Sequence, residues 1–559
     1  MRTSLGKPLA QRSLNTRRHT VNERMKSYEA ACADFRWELP ETFNFGRDVV
    51  DAIAAEQPDK LALIWCDEAG AELRYTFGDI ARQSSQFANL LAGQGVRRGD
   101  RVLVMLPRLP QWQIAMVGCL KLGATPIPCI DMLTAKDVLY RATHSGAVAA
   151  ITTAAQVEKF EGVAGLRTRV AVGGALGWLD FDMAVAGQNA AFECADMGLE
   201  EAALLFYTSG STGMPKGVSH AARALYCWRI SAWCWLDLQP DDLMWCTADT
   251  GWAKAGTSIL FGPWSRGSAV LFYNGRFDAV RRLALIARYG VTVFCGAATE
   301  FRHLVNEDFG PHDFSRLRLA VSAGEAVNPE VLKRWVGATG VPLIEAYGQT
   351  ETLMTAGNHP SAPVKPGSMG RAMPGSTMAV VDDDGAVVPN GERGQLVLRL
   401  PSPQLMLGYW GDPERTAQTQ IEHAGVAYFL TGDLAHMDDD GYIYYQGRND
   451  DIISSAGYRI GPMEVENALI EHPAVTECAV VGSPDAERGE IVKAFVVLRP
   501  GHAPSDTLTR ELQDHVKRIT APYKYPRSIA YVSELPKNVS GKLLRRVLRD
   551  AEYARSGPT

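Results

Sequence analysis

From about residue 43 onward, short apolar runs alternate with longer stretches of helical period. Residues 101–107 (RVLVMLP) read as a buried strand, and 111–122 as an apolar helix closed by Gly123. Residues 148–152 form another short strand, and runs at 269–273, 291–294, 319–322 and 343–346 repeat the theme. Strands separated by helical segments predict parallel sheets with both faces covered. At 378–382 and 395–399 the strands are punctuated by Gly and Asp, which predicts a small antiparallel, barrel-like β region. The aromatic-rich stretch 226–235 reads as the buried face of a helix, since no basic groove accompanies it as base stacking would require.

Near 447 the pattern breaks at a short polar segment, Gly447-Arg-Asn-Asp-Asp451. An α+β pattern follows: helix 463–470, strands 476–482 and 491–499, helix 507–519, strand 528–532. The expected class is therefore α/β. A large multi-sheet region with a β-barrel-like part spans 43–447, a hinge 448–450, and a small α+β domain 451–559. Residues 1–42 form an N-terminal extension. A chain of 559 residues is too long for one core, which agrees with this division.

Composition changes the picture only by exclusion. With 46% apolar and 21% charged residues, global disorder, collagen and coiled coil are ruled out. The 57 basic and 63 acidic side chains leave −6, which argues against a nucleic-acid coat. Ten scattered cysteines form no Cys-x-x-Cys pair and fit a reducing compartment. No apolar run reaches membrane-spanning length, so no membrane span is expected. The leader carries Arg2, Lys7, Arg12, Arg17 and Arg18 with no acid before Glu23. It reads as a disordered cytoplasmic extension, with an organellar transit peptide for the mitochondrial matrix as the alternative.

The segment richest in chemistry is Leu204-Leu-Phe-Tyr-Thr-Ser-Gly-Ser-Thr-Gly-Met-Pro-Lys-Gly-Val218. An apolar strand runs into a loop of hydroxyls (Thr208, Ser209, Ser211, Thr212), glycines (Gly210, Gly213) and Lys216. Glycines let backbone N–H groups approach an anion, hydroxyls donate to phosphate oxygens, and a lysine adds a point charge. The composition is that of a polyphosphate cradle. The spacing is not that of a Walker A loop, because Pro215 precedes Lys216 and Gly217 follows it.

This string resembles the signature loop of the adenylate-forming superfamily, which includes acyl-CoA synthetases, luciferases and peptide-synthetase adenylation domains. Other matching segments follow in the family's order. They are Glu345-Ala-Tyr-Gly-Gln-Thr-Glu351, Tyr428-Phe-Leu-Thr-Gly-Asp433, Gly447–Asp451 with Gly457-Tyr-Arg-Ile-Gly-Pro462, and Pro536-Lys-Asn-Val-Ser-Gly-Lys542. Asp249-Thr-Gly-Trp-Ala-Lys254, Phe261-Gly-Pro-Trp264 and Ala521-Pro-Tyr-Lys-Tyr-Pro-Arg527 look most like the medium-chain acyl-CoA synthetases.

The resemblance implies an ATP-, Mg²⁺- and coenzyme A-dependent acyl-CoA ligase acting on a medium-chain or aryl acid. Loading of a carrier protein is the alternative, and intact motifs argue against a silent binding protein. It implies that Lys542 bridges the carboxylate and the α-phosphate, that Thr208 and Lys216 serve the phosphates, and that Glu351 holds Mg²⁺. Adenine and phosphate contacts fall on Gly324, Glu325 and Ala326, and on Glu345, Ala346, Tyr347, Gly348, Gln349 and Thr350. Ribose contacts fall on Asp433 and Arg448. Asp450 marks the hinge about which the small, mobile domain turns. Gly457, Tyr458 and Arg459 then face the pantetheine path, with Arg488, Lys517 and Tyr525 toward the CoA nucleotide. Here Ser454-Ser-Ala-Gly-Tyr458 stands for the common Asn-Ser-Ser-Gly-Tyr, replacing polar side chains near CoA. Trp252, Gly296 and Ala323 line the acyl pocket. Partners are the small-molecule acid, ATP and CoA, with no nucleic acid, and a homodimer is among the expected assemblies.

Overall fold

A computed structural model describes residues 27–208, 214–325, 327–448, 451–455, 458–485, 488–520, 522–537 and 543–556. Two sheets carry most of the chain before 373. The larger has nine strands in the order Arg371–Ala372, Leu353–Gly357, Leu343–Gln349, Leu319–Ala323, Val293–Cys295, Leu243–Cys246, Ala269–Asn274, Leu61–Asp67, Glu72–Thr76. Its six central strands are parallel and its edges antiparallel. The second is wholly parallel, in the order Thr125–Pro128, Arg101–Val104, Ala149–Thr153, Thr168–Val172, Leu179–Asp180.

Helices Phe77–Gly93 and Pro110–Leu122 lie between these sheets, and one hydrophobic cluster takes residues from both. The second helix is apolar all round, as a helix covered on every side must be: eleven of its thirteen residues are buried. It ends as expected at Gly123, in the left-handed conformation at φ 76°. The 226–235 stretch is also buried, with Trp228, Trp233 and Trp235 inside, but it is broken at Trp228 into helices Ala222–Cys227 and Arg229–Cys234.

The expected barrel-like part is not a barrel. Strands Met378–Val381, Gly394–Arg399, Val426–Met437 and Gln420–His423 form an open antiparallel sheet, with Ile443–Arg448 also paired to Val426–Met437. Among the described residues no pairing joins its two outer strands, so it has edges where a barrel has none. Part of the expected N-terminal extension is built into the body. Helix Tyr28–Asp34 sends Ala31 into the main core, Phe35 follows it there, and the Tyr28 hydroxyl donates to the Ala372 carbonyl at 2.6 Å.

Beyond 451 a separate sheet forms from Tyr458–Ile460, Ile453–Ser455, Gly489–Leu498, Val475–Asp485 and Ser528–Tyr531. Helices Pro462–Ile470, Asp506–Ile519 and Arg545–Ser556 accompany it. Its two hydrophobic clusters contain no residue from before 453. Among the described residues no helix is long and apolar enough to cross a membrane.

Candidate active site

The cradle segment begins at the end of strand Ala202–Thr208, which pairs antiparallel with Lys216–Ala221 and sets Thr208 opposite Lys216. Ser209, Gly210, Ser211, Thr212 and Gly213 lie outside the described residues. The Thr208 hydroxyl is buried without a hydrogen-bond partner. A buried donor in that state matches an acceptor brought by a ligand, as a phosphate oxygen would be.

Lys216 is joined to Glu351 across 135 positions of sequence. Its ammonium lies 2.9 Å from Glu351 Oε1 and donates to the Tyr409 hydroxyl at 2.6 Å. That hydroxyl donates in turn to the same Oε1 at 2.9 Å. Burial pushes the Glu351 carboxyl upward, but Lys216 and Tyr409 outweigh it, so the group is held below the ordinary carboxylate range. Burial, and then the adjacent Glu351 charge, push the Tyr409 phenol up and keep it a donor. The Lys216 and Tyr409 contacts both fall on Oε1, and Oε2 would be the oxygen to hold a cation. One carboxylate combined with phosphate oxygens is a usual Mg²⁺ environment. Among the described residues no group of three or more acids, histidines or cysteines gathers as a self-sufficient metal cage.

Glu351 is held by a hairpin. Strand Leu343–Gln349 turns through Thr350–Thr352 into Leu353–Gly357, and Leu353 takes a left-handed φ of 58°. A Cβ on Gly348 would stand 2.1 Å from the Leu353 carbonyl oxygen, so the backbones meet there only because the residue is glycine. The turn is pinned from the neighbouring sheet. His220, fully buried, donates from Nε2 to the Thr350 carbonyl at 2.7 Å, and burial pushes its pKa down to about 4. It is a neutral strut.

Along the same strand Tyr347 donates its hydroxyl to Asp433, and Gln349 donates to the same carboxylate oxygen at 2.8 Å. Asp433 lies on Val426–Met437 directly opposite Arg448, whose guanidinium is 3.5 Å from its other oxygen. Tyr347, Gln349 and Arg448, three expected nucleotide residues, therefore converge on the buried carboxylate of a fourth, Asp433. Glu345 and Ala346 pair in parallel register with Ser322 and Ala323, which puts Gly324 and Glu325 just beyond the same sheet edge. Ala326 lies outside the described residues. Glu345 accepts from the Val327 N–H at 2.6 Å, and burial raises its pKa to about 8.

The three expected pocket residues are also brought together, by a side chain not singled out from sequence. Lys254 donates to the carbonyls of Gly296 at 3.3 Å and Ala323 at 3.2 Å, two residues after Trp252. Trp252 is half-buried against a cluster that includes Ile130 and Tyr207, and its indole N–H has no partner. Lys254 closes the Asp249–Lys254 segment matched in sequence but had no role assigned there, and Tyr409 carried no signal, because the part each plays is defined by contacts with distant residues.

In the C-terminal part, Lys517 lies over the Tyr525 ring at 4.4 Å and pairs with Asp514, while Arg527 donates to the Tyr525 hydroxyl at 2.9 Å. Tyr458 is half-exposed and stacks on Tyr523 with ring centres 4.3 Å apart. Arg488 sits apart from these, on the turn before Gly489–Leu498, where its N–H donates to Asp485. Arg459 is described in its backbone alone, opposite Ser454. Lys542, Asp450 and Gly457 lie outside the described residues.

Residues 50–410 match the family model "AMP-binding enzyme", and 464–542 match "AMP-binding enzyme C-terminal domain". The chain is 40% identical over 555 residues to the mitochondrial acyl-coenzyme A synthetase ACSM3 of Mus musculus, covering 96% of this chain and 95% of the relative. It is 41% identical over 536 residues to the mitochondrial ACSM5 of Homo sapiens, covering 92% of each. Among solved structures it resembles the anthranilate CoA ligase AuaEII in complex with anthranoyl-AMP, with a TM-score of 0.85 and 33% identity over 93% of this chain and 99% of that one. A benzoate CoA ligase from Burkholderia xenovorans LB400 aligns with a TM-score of 0.81 and 29% identity over 91% of this chain and 100% of that one.

Proposed function

The chain belongs to the AMP-binding enzyme family and is an AMP-forming acid–CoA ligase, and on that premise we propose that its acid is a medium-chain fatty acid or an aryl acid. It uses ATP, Mg²⁺ and CoA. A carboxylate oxygen attacks the α-phosphorus of ATP; the new O–P bond forms as the bond to the β-phosphate oxygen breaks, and pyrophosphate leaves. The CoA sulfur then attacks the acyl carbonyl and AMP departs. Two anions must meet in the first step, so the protein's task is charge neutralisation and positioning.

In our assignment, Lys216 and the Thr208 hydroxyl take the polyphosphate. Glu351 would hold Mg²⁺, which when bound neutralises phosphate charge. Lys216 stands 2.9 Å from Glu351, so the ammonium and the carboxylate-held Mg²⁺ would meet the same phosphate group from one side. Asp433 exchanges its Tyr347 and Gln349 donors for ribose hydroxyls, with Arg448 beside it. Lys542 is assigned to the adenylating step, 448–450 to the hinge, and the Lys517–Tyr525–Arg527 cluster to the CoA nucleotide. The body before the hinge takes 43–447 together with the helix Tyr28–Asp34 packed on it, and the mobile one is 451–559. Cytoplasmic residence is the reading for location; the acid-free leader and the mitochondrial names of the relatives support the matrix as its alternative, and imaging of a fluorescent fusion to the leader decides between them.

The observation that carries the reading is the Lys216–Tyr409–Glu351 triangle beside the Asp433 cluster: a charge pair and a diol acceptor, each tied to residues of one hairpin. The test is acid-dependent exchange between ATP and labelled pyrophosphate across acids from acetate to dodecanoate and benzoates. Activity centred on medium chains or benzoates is expected. Activity confined to acetate would overturn the substrate assignment. AMP release that does not rise with free CoA would point to a carrier protein as acceptor.

A further inference from the structure

Lys254 is the cation that this fold places farthest from an obvious role. Its ammonium sits at the carboxyl ends of two adjacent parallel strands, Val293–Cys295 and Leu319–Ala323, held by the Gly296 and Ala323 carbonyls. Ligands of open parallel sheets bind at that edge. Among the described residues no carboxylate stands within ion-pair distance of it. Glu300, an acid whose charge acts on it, is committed to the Thr247 hydroxyl, the Ala297 N–H and Arg282. Two carbonyls satisfy two of its three N–H bonds, and the side chain is only half-buried, so the third is open to an acceptor that enters the pocket. Burial acts to lower its pKa, but Cys295, Cys246, Glu300 and Glu325 outweigh that, so the charge persists. The indole N–H of Trp252, two residues earlier in the chain, is buried without a partner. A wall built for an alkyl chain would present neither.

We propose that Lys254 reads the tail of the acid, and that the preferred substrates carry an acceptor oxygen (hydroxyl, keto or ether) a few bonds from the carboxyl group. This rests on the acid–CoA ligase reading and narrows it. Position separates this role from a grip on the reacting carboxylate. Glu351 follows the next strand over, Leu343–Gln349, and the two carbonyls that hold Lys254 end the first and second strands beyond it. Ala346 stands opposite Ala323 in that register, so Glu351, further along the same chain segment, lies roughly 10–16 Å beyond the Ala323 carbonyl along the strands as well as one or two strand spacings to the side. An acid activated between the two, its carboxyl group turned toward Glu351, would meet the ammonium with its chain or ring.

The experiment measures pyrophosphate exchange with matched acids: benzoate against ortho-, meta- and para-hydroxybenzoate, and octanoate against its keto derivatives. The best oxygen-bearing acid should exceed its parent by about tenfold to a hundredfold in kcat/KM, as a hydrogen bond from a charged donor warrants. Lys254→Met should bring that ratio to one or below while the KM for ATP stays within about twofold. Lys254→Gln, which keeps a donor, should retain part of the preference, and it decides the matter if the methionine variant melts early. A wild-type preference for the parent acids overturns the proposal, as does a ratio that neither variant moves. Equal loss for both members of each pair also overturns it and puts the ammonium on the reacting carboxylate. Absence of exchange with every acid would overturn the ligase reading itself, and this inference with it.

Discussion

Two carboxylates on one strand–turn unit show how neighbours, not burial alone, decide charge. Glu351 is buried yet held below the ordinary range, because Lys216 and Tyr409 converge on one oxygen. Glu345 is buried with a single N–H donor and rises to about 8. In the unfolded chain Glu345 titrates near ~4.3, so between there and about 8 the folded protein holds a proton that the unfolded one has lost. The Glu345 contribution to stability falls as pH rises through that window, by up to ~1.4 kcal/mol per pH unit, while the buried neutral His220 acts the other way below the ordinary imidazole pKa. Denaturant titrations at pH 5 to 8 should therefore show the stability difference between Glu345→Gln and wild type moving in the variant's favour as pH rises. Lys216→Met is expected to leave Glu351 without its cation and to raise its pKa. Exchange activity should drop by at least about a hundredfold at pH 7 and partly recover toward pH 9, which a pH–rate profile of the variant will show. Lys216, Glu351 and Asp433 were legible in sequence because each lies in a motif with specific spacing. Tyr409 was not: its role is a contact with Lys216, 193 positions away, and nothing around Gly408-Tyr-Trp announces it.

At the scale of elements, the hairpin Leu343–Gln349/Leu353–Gly357 is the frame of the site. It carries Glu345, Tyr347 and Gln349 on one arm and Glu351 at its turn, and it is closed by a backbone contact at Gly348. Gly348→Ala would drive a methyl group into the Leu353 carbonyl, with no flexible side chain to yield. The expected result is a Tm several degrees lower and exchange activity reduced at least about tenfold; a variant with wild-type activity would show that the hairpin does not set the site. Strands such as Leu319–Ala323 and Ala269–Asn274 were readable because burial on both faces leaves a continuous apolar run. The open sheet of 378–448 was misread as barrel-like, since closure depends on which edges meet, and pairing between distant strands leaves no local trace. Helix Tyr28–Asp34 is seven residues long and owes its place to Ser27 capping and to contact with the main core. Such a helix has too little periodicity to stand out.

For the whole molecule, the decisive feature is that the sheet beyond 451 has cores of its own. A body that shares no buried cluster with its neighbour can change orientation without unfolding either one, at the cost of surface contacts alone. That freedom answers a chemical conflict. The first half-reaction needs a cation where carboxylate and α-phosphate meet, and the second needs the same space opened to a thiol. Lys542, near the end of the chain, is assigned to the first arrangement, and the Lys517–Tyr525–Arg527 cluster of the same body to the second. Lys542→Ala should therefore cut pyrophosphate exchange by at least about a thousandfold, yet leave thioester formation from supplied acyl-adenylate and CoA within a few-fold of wild type. Substituting Lys517 should do the reverse, raising the KM for CoA and sparing exchange. If Lys542→Ala depressed both half-reactions equally, a single fixed arrangement would serve them both, and the separate cores would have to be explained by folding rather than by motion.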